Sequence, residues 1–358
     1  MKRISRLINS ARDWLKRHNK VGYAVVAVGI IMFGGLMFYV VEALSAKPQM
    51  AADIPIKPRP KTYYAPLTGL KVKNEAATKK VVNAIIIENS PEARPQSGLK
   101  EAEIVYEAIA EGGVTRFLAL YQQNSPKLIG PVRSLRPYYI DWLRPYDPSV
   151  IHVGGSAKAL KEIRGGDYKD LDQFFNDGAY YRSTDRVAPH NVYTTSARLA
   201  ALNKAKKYTS SRPIAIARAD ADPAAKPNAQ KISVKISSAL YDSSYRYDKK
   251  NNRYIRSQAG TQHKDREKGT ISPSVVVVLN VSERTERQET EREVISTSGE
   301  GKVTIFQNGT VVKGTWSKKD QKSQLTFKDA NGEDIQLVRG QTWITAVPNG
   351  KGSVSWQR

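Results

Sequence analysis

An uncharged run near the amino terminus constrains this chain more than any other feature. Residues 21–41 read VGYAVVAVGIIMFGGLMFYVV, with no charged side chain. At about 1.5 Å per residue, a helix of this length spans roughly 31 Å, close to the thickness of the hydrocarbon core of a bilayer. Tyr23 and Tyr39 lie near the two ends of the run, where aromatic rings favour the membrane interface. The run therefore predicts a transmembrane helix.

The charges that flank this run predict its orientation. Residues 1–20 carry seven lysines and arginines against one aspartate, which indicates a basic cytoplasmic segment. Within it, residues 4–17 have the pattern of an amphipathic helix on the inner leaflet. A cleaved signal peptide is the alternative, with a cleavage site at 43–45, but the apolar run is longer than a usual signal-peptide core. We favour a single-pass cell-membrane protein whose N-terminus is cytoplasmic and whose C-terminal domains are extracytoplasmic.

Composition narrows the classes of partner. The formal net charge is +23, of which residues 1–20 contribute +6 and the rest of the chain +17. Such a chain attracts polyanions. Outside the membrane these are anionic lipids or phosphate-bearing wall polymers, and nucleic acid is not expected; a general basic bias of the proteome is the alternative explanation. The absence of cysteine excludes disulfides, thiolate metal sites, cysteine nucleophiles and a lipid-modified cysteine anchor.

The remaining sequence predicts an α+β protein. Proline-rich residues 42–62 are typical of an extended stalk. Residues 63–211 mix strand and helix patterns and predict an α/β sandwich domain. Residues 212–230 are interpreted as a linker. Residues 231–358 predict a mostly antiparallel β domain.

Local patterns support this organisation. In the first domain, apolar runs predict strands at 81–89, 103–111, 114–122 and 149–154, and hydroxyl caps predict helices at 135–143 and 196–207. In the second domain, 275–278 is a buried-strand pattern. The dipeptides Asn308-Gly309 and Asn331-Gly332 predict hairpin turns.

Familiar catalytic motifs are absent. The sequence has no GxSxG, HExxH, GxxxxGK[ST] or strand-linked GxGxxG, each of which marks a specific chemistry. The sequence therefore leaves enzymatic activity open and names no cofactor and no metal.

Arginines at predicted loops and helix starts are the first candidate site. Arg133 and Arg136 flank Ser134 where a helix is expected to begin, Arg94 lies in a predicted loop, and Arg116 lies near the start of the strand predicted at 114–122. Guanidinium forks beside a helix N-terminus form an anion site. The alternative is that these arginines form ion pairs with Glu88, Glu107, Glu111 or Asp141 and hold loops together.

Carboxylates form the second candidate group. Glu107 and Glu111 are four residues apart on one predicted strand, so they are expected to face the same side. Paired carboxylates perform acid–base chemistry or bind a divalent cation. Ion pairing with the nearby arginines is the favoured alternative.

Histidines form the third group. His152, His190 with Asn191, and His263 with Asp265 supply enough donors for a metal or a general base. Their spacing matches no compact ligand motif, and structural hydrogen bonding is the ordinary role of isolated histidines.

Aromatic residues interleave with arginines in the second domain. Tyr245, Tyr247 and Tyr254 alternate with basic residues, and Trp316 and Trp343 lie on predicted strands. Exposed, they would suit glycan binding. Cross-strand packing is the favoured alternative.

Several sequence blocks resemble one family. IIIENSPEARPQSGL, IVYEAIAEGGVTRFLALY, IGPVRSLRPYY, VIHVGGS and APHNVYTT occur in this order, followed by YRYDKKNNRYIR, HKD, GTWSK and GQTWITAVP. Over about residues 64–358 the chain resembles the YerB family of bacterial envelope proteins. The resemblance implies two extracytoplasmic domains and no assigned activity. Many members look like lipoproteins, whereas this chain has a predicted transmembrane helix and no cysteine.

A weaker similarity concerns the first domain. A strand followed by GPVRSLR and then HVGGSAKAL is similar in outline to the LytR-CpsA-Psr phosphotransferases, which bind polyprenyl pyrophosphate with arginines. Their acidic residue beside the matching arginine is Ser134 in this chain. The resemblance therefore implies pyrophosphate binding and does not carry catalysis over.

Three hypotheses follow. The first is an envelope protein that binds an anionic, phosphate-bearing cell-wall precursor or polymer. The second is a non-enzymatic scaffold that docks cell-wall synthesis proteins or glycan. The third is a metal-dependent hydrolase that uses His152, His190 and Glu111. For the first hypothesis the predicted ligand-binding residues are Arg94, Arg116, Arg133, Arg136, Glu107, Glu111, His152, His190, Asn191, His263 and Asp265.

Overall fold

The computed structural model describes residues 2–45, 61–287 and 291–358. Its contacts divide the chain into two units, Met1–Pro60 and Lys61–Arg358, and each unit is described by itself. The predicted stalk at 42–62 lies mostly outside the described residues.

The described residues of the first unit, 2–45, form two helices, α1 (Lys2–Arg17) and α2 (Asn19–Ser45). The helix predicted at 4–17 lies within α1, where Ile4, Leu7 and Ile8 recur at the spacing of one helical face. The apolar run 21–41 lies within α2. By length and composition, residues Lys20–Ser45 fit a membrane span or an N-terminal signal sequence.

The second unit is built mainly from strands. Its helices are α3 (Glu75–Thr78), α4 (Pro137–Leu143), α5 (Ala157–Gly165) and α6 (Ser196–Ala205). Its strands before residue 230 are β1 (Tyr63–Tyr64), β2 (Lys71–Val72), β3 (Asn83–Glu88), β4 (Ile104–Glu111), β5 (Val114–Tyr121), β6 (Ser149–His152), β7 (Lys169–Asp172), β8 (Tyr181–Arg182), β9 (Val192–Tyr193) and β10 (Arg218–Ala219).

The later strands continue this numbering. They are β11 (Lys231–Lys235), β12 (Ser243–Asp248), β13 (Arg253–Gln258), β14 (Thr261–Gln262), β15 (Lys264–Asp265), β16 (Gly269–Thr270), β17 (Val275–Val281), β18 (Glu283–Arg287), β19 (Glu291–Ile295), β20 (Gly299–Gln307), β21 (Thr310–Lys318), β22 (Thr326–Asp329), β23 (Leu337–Val338), β24 (Thr342–Pro348) and β25 (Ser353–Gln357).

A mixed ten-stranded sheet is the centre of the second unit. Its strand order is β22-β21-β20-β17-β24-β4-β5-β3-β6-β7. Strand β24 pairs in parallel with β17 on one side and with β4 on the other. Strands from 63–211 and from 231–358 therefore share one sheet. The domain boundaries given above remain predictions.

Both faces of the central sheet are covered. Strands β17 and β24 are buried almost throughout, as expected for strands covered on both sides. Helices α4 and α5 pack on one face through residues such as Trp142 and Ile163. A five-stranded sheet, β14-β13-β12-β11-β25, packs on the other face through residues such as Ile232 and Tyr245. The predicted α+β class is confirmed.

The predicted turns differ in outcome. Asn308 and Gly309 have φ angles of 57° and 77° and join β20 to β21, which is the backbone that a two-residue hairpin turn requires. Asn331-Gly332 also forms a turn, but the pairing across it is limited to one bridge between Lys328 and Asp334, and the following β23 pairs with β10 instead.

Candidate functional site

Glu111 forms ion pairs with two of the predicted anion-binding arginines. Arg116 Nη2 lies 2.7 Å from Glu111 Oε2, and Arg136 contacts the other carboxylate oxygen. Arg116 also donates to the carbonyl oxygen of Ser134 at 3.2 Å. Burial, together with the positive charge of Arg116, lowers the pKa of Arg136. This arrangement ties the β4–β5 turn to the start of α4, as the ion-pair alternative predicts.

The prediction that Glu107 and Glu111 face one side is wrong. The β4–β5 register shifts between Ile109 and Glu111, so that β4 contains an extra residue and the alternation of its side chains reverses. The Glu107 residue is 1% exposed, whereas the Glu111 side chain is 32% exposed. Sequence spacing alone does not reveal a bulge.

Glu107 instead belongs to a closed network that we call the buried polar ring. Its Oε2 accepts hydrogen bonds from Arg256 Nη2 at 2.8 Å and from Trp343 Nε1 at 3.0 Å. Further hydrogen bonds close the ring and connect the N-terminal part of the second unit to its C-terminal part. Its members, in order, are Glu107, Thr115, Asn89, Gln96, His263 and Arg256.

The ring fixes the protonation of His263. An arginine can only donate, so the bond from Arg256 Nη1 makes His263 Nδ1 an acceptor. The proton therefore lies on Nε2, which donates to Gln96 Oε1 at 3.0 Å. Burial, reinforced by the positive charges of Arg256 and Arg94, holds the pKa of His263 well below its usual value. His263 is thus a neutral structural residue.

We expect the free energy of unfolding to fall as the pH drops below about 6.5, the usual pKa of histidine in an unfolded chain. The unfolded chain then binds a proton at His263 that the folded chain does not bind. The loss is up to about 1.4 kcal/mol per pH unit until the folded-state pKa is reached. Urea unfolding at about pH 5 and about pH 7.5 measures it. The His263→Gln variant should lose less stability on acidification, and equal losses would contradict the assignment.

Other predicted residues have structural partners. Arg94 donates to the carbonyl oxygens of Asn89 at 2.8 Å and of Leu240 at 2.9 Å. Asp265 accepts from the backbone N–H groups of Lys100, Glu267 and Lys268. Both residues therefore hold loops in place.

His152 is buried at the end of β6. Its Nδ1 lies 2.7 Å from the carbonyl oxygen of Gly154, and its Nε2 lies 2.9 Å from Asp170 Oδ1. His190 and Glu111 have other partners. Among residues 2–45, 61–287 and 291–358, no group of three or more histidines and carboxylates could hold a metal ion.

Three parallel strands create the candidate site. Strands β3, β6 and β7 run in the same direction, so their carboxyl ends meet at one edge of the sheet. Open α/β sheets bind ligands in the crevice outside this edge. The structure has a cleft of about 490 Å³ here, lined by Val132, Arg133, Ser134, Val153, Gly154, Gly155, Leu160, Arg164, Phe174, Arg182, Pro189 and Val192.

Three arginines characterise this cleft, which we call the arginine cleft. Arg133 Nη2 lies 2.8 Å from Glu88 Oε1, and Arg164 Nη2 lies 2.9 Å from Asp172 Oδ2. Arg182 Nη1 donates to Asn191 Oδ1 at 2.7 Å. Asn191 is thereby a positioning residue for Arg182. Since an amide is neutral and Arg182 forms no ion pair with a described carboxylate, its positive charge is not neutralised.

Glu88 and His190 lie beside Arg133. Glu88 Oε1 is 2.9 Å from His190 Nδ1 and also accepts from Ser90 Oγ at 3.1 Å. Arg133 Nε and Glu88 Oε2 are buried and have no hydrogen-bond partner among the described residues. Both atoms keep hydrogen-bonding capacity, because an arginine has five N–H donors and a carboxylate has two acceptor oxygens.

The structure thus gathers only part of the predicted site. Arg133 lines the arginine cleft, and His190 and Asn191 lie behind the lining, where they contact Glu88 and Arg182. Arg94, Arg116 and Arg136 are used elsewhere. Sequence reasoning missed Arg164 on α5 and Arg182 on β8. No local motif marks them, and only the fold brings them together: α5 follows β6, and β8 pairs with β9.

The predicted aromatic surface is mostly core. Tyr245, Tyr254, Trp316 and Trp343 are all buried. The Tyr247 and Tyr254 rings pack against each other at a tilt of 42°, with centroids 5.1 Å apart. The packing alternative is therefore correct for these residues.

Two family models match the second unit. Residues 67–210 match the N-terminal domain and residues 232–344 the C-terminal domain of a protein family of unknown function, DUF3048. YerB of Bacillus subtilis (strain 168), whose name provisionally classes it as a lipoprotein, is 34% identical over 296 residues, or 81% of this chain and 87% of that protein.

A solved structure gives the same result. The crystal structure of YerB from Bacillus subtilis has a TM-score of 0.73 and 30% sequence identity with this chain, and the match covers 82% of this chain and 99% of that one. The order of sequence blocks, the shared fold and the matched domains agree, and the chain belongs to the YerB family.

Proposed function

We propose that this chain is a single-pass membrane protein of the bacterial envelope, with residues 1–20 in the cytoplasm and the second unit outside. The length and apolar composition of α2 support a span, and the basic residues before it support this orientation. The relative classed as a lipoprotein supports a membrane location. With no cysteine in this chain, α2 takes the place of a lipid anchor.

We further infer that the arginine cleft binds an anionic, phosphate-bearing cell-wall precursor or polymer. The observation that carries this inference is the convergence of Arg133, Arg164 and Arg182 at the carboxyl edge of β3, β6 and β7. Guanidinium groups bind phosphate through two parallel N–H···O bonds. The excess of basic residues outside 1–20 draws anions towards such a cleft.

The hydrogen-bond partners of these arginines leave N–H donors and positive charge available for an anionic ligand. Glu88 and Asp172 each orient one guanidinium through a single Nη atom, which leaves further N–H donors on each arginine. Arg182 is oriented by a neutral amide and keeps its full charge. The cleft therefore has fixed donors and a positive charge, as a phosphate site requires.

Replacing Arg133 or Arg182 with alanine is expected to weaken the binding of inorganic pyrophosphate by about 10- to 100-fold, since each hydrogen bond to a charged group contributes about 1.5–3 kcal/mol. Calorimetric titration of the full chain in detergent micelles measures the affinity. Raising the ionic strength should weaken binding to the parent protein.

Two control variants distinguish this cleft from general basicity. Arg246→Ala removes an exposed arginine from another sheet, and Arg116→Ala removes one held by Glu111. Both should bind pyrophosphate as the parent does. If all four variants bind equally, or the parent does not bind, the arginine cleft is not the anion site.

A non-enzymatic scaffold is the second candidate. The specific observation that favours it is that Glu107, Glu111 and Arg136 are consumed in internal ion pairs. As a scaffold, the second unit would dock cell-wall synthesis proteins or glycan. It predicts that cleft variants leave pyrophosphate binding unchanged or undetectable, which is the outcome that opposes the first candidate.

A further inference from the structure

Three large apolar side chains stand out on the surface of the second unit. Val187 is 82% exposed, Phe174 is 69% exposed and Phe175 is 68% exposed, the highest values among its described large apolar residues. Phe174 and Phe175 follow β7, and Val187 lies in the loop between β8 and β9. We call these three residues the apolar rim.

The apolar rim adjoins the arginine cleft. Phe174 lines the cleft and lies so close to Gly154 that a Cβ there would be 3.0 Å from the phenylalanine ring. The guanidinium of Arg164 lies 4.9 Å from the centre of the Phe175 ring. Val187 accepts the backbone hydrogen bond of His190 at 3.0 Å. Two apolar rings therefore lie beside the cationic groups of the cleft, and Val187 is two residues before Pro189 of its lining.

Exposed phenylalanines beside arginines are typical of a surface that contacts a partner. Fully burying one phenylalanine stabilises a structure by about 1.5–3 kcal/mol, so exposing two neighbours forgoes a large gain. Apolar rings bordered by arginines are typical of surfaces that enter the interface of an anionic bilayer, where rings contact acyl chains and cations contact headgroup phosphates.

The proposed membrane anchor keeps the second unit close to a bilayer. Residues 46–60 connect the apolar helix to the second unit and reach about 50 Å when fully extended. A second unit tethered this closely to a bilayer meets lipid at a high effective concentration. Its basic excess complements an anionic lipid surface.

We propose that the second unit docks onto the anionic membrane surface through the apolar rim, with headgroup phosphates bound by the arginine cleft. Phe174, Phe175 and Val187 enter the interface, and Arg164 and Arg182 contact phosphates beside them. This proposal rests on the proposed function of the cleft, and it specifies that the phosphate is presented by a lipid.

The absence of native cysteines allows a direct test with one labelled site. The full Val187→Cys chain, labelled with a fluorophore, is reconstituted into vesicles of phosphatidylglycerol and phosphatidylcholine that contain brominated acyl chains. Docking quenches the label. The matched control is Leu70→Cys, which is exposed and is not among the residues that line the cleft. It follows Gly69, whose carbonyl oxygen accepts a hydrogen bond from Arg339 between β23 and β24.

Two double variants test separately the apolar and the electrostatic contributions to membrane docking. Phe174→Ser with Phe175→Ser should abolish quenching at Val187→Cys. Arg164→Gln with Arg182→Gln should lower the ratio of docked to undocked protein by about thirtyfold, because each cation near an anionic surface contributes about 1 kcal/mol. Vesicles of phosphatidylcholine alone should reduce quenching to a similar extent.

The outcomes separate the two proposals. If pyrophosphate binds and yet Val187→Cys and Leu70→Cys are quenched equally, or neither is quenched, membrane docking is overturned and the cleft assignment stands. If quenching is specific to Val187→Cys but pyrophosphate does not bind, the rim docks and the cleft assignment fails. If exposure of the Val187 label in lipid-free micelles falls as the protein concentration rises, a second copy covers the rim and the proposal is overturned.

Discussion

The Arg256→Met variant is expected to lose about 3–5 kcal/mol of unfolding free energy, because it leaves the carboxylate of Glu107 buried without its cation. Arg256 Nη2 lies 2.8 Å from Glu107 Oε2, and the exposed fractions of the two side chains are 0% and 1%. Burial alone would lower the pKa of Arg256, but Glu107 and Tyr245 outweigh burial and raise it. Urea unfolding of the full chain in micelles, followed by tryptophan fluorescence, measures the change.

A double variant tests the cause. Glu107→Gln keeps an acceptor for Trp343 Nε1 and removes the charge, so Glu107→Gln with Arg256→Met should be more stable than Arg256→Met alone. Arg246→Met, on the exposed side of neighbouring β12, should change stability by less than about 0.5 kcal/mol. If the single and double variants are equally unstable, loss of packing and not an unpaired charge explains the effect.

The Arg218→Met variant is expected to lose about 2–4 kcal/mol, since hydrogen bonds to a charged group contribute about 1.5–3 kcal/mol each and part of that gain is offset by desolvation. Arg218 Nη1 donates to Val338 O at 3.0 Å and to Thr342 Oγ1 at 2.8 Å, and its Nη2 donates to Leu67 O at 2.6 Å. Burial lowers the pKa of Arg218 to about 10. The same urea measurement applies.

An Arg218→Lys variant tests whether the geometry of the guanidinium donors matters beyond their positive charge. A lysine presents one nitrogen and cannot reach the acceptors that the two Nη atoms of Arg218 reach. Arg218→Lys should therefore recover less than half of the loss. Arg212→Met, at an exposed position, serves as the control. Full recovery by lysine would show that positive charge alone, and not the fork of donors, holds the loop before β24.

Local sequence signals predicted local structure well. The apolar run at 81–89 contains β3, and the Asn308-Gly309 turn has the positive φ angles that favour these two residues. These signals depend on neighbours in the chain. The insertion of β24 between β17 and β4 depends on pairing with a strand more than 200 residues earlier, for example Trp343 with Val105. No spacing rule encodes such a pairing.

The candidate site shows the same limit. Arg133 was predicted because it precedes a helix, and that position does place it in the arginine cleft. Arg136, only three residues later, was predicted on the same ground but is held by Glu111. The choice between binding and ion pairing depends on which way each side chain points, and at Glu111 a single extra strand residue reverses that direction.

The position of β24 late in the sequence also affects when the central sheet can be completed during synthesis. Synthesis at about 5–20 residues per second separates Glu107 from Trp343 by roughly 10–50 s. Throughout this interval the strand that begins at Ile104 lacks its final neighbour, and an open strand edge recruits other chains. A nascent chain that stops before β24 (Thr342–Pro348) therefore has an open strand edge and is expected to be prone to aggregation.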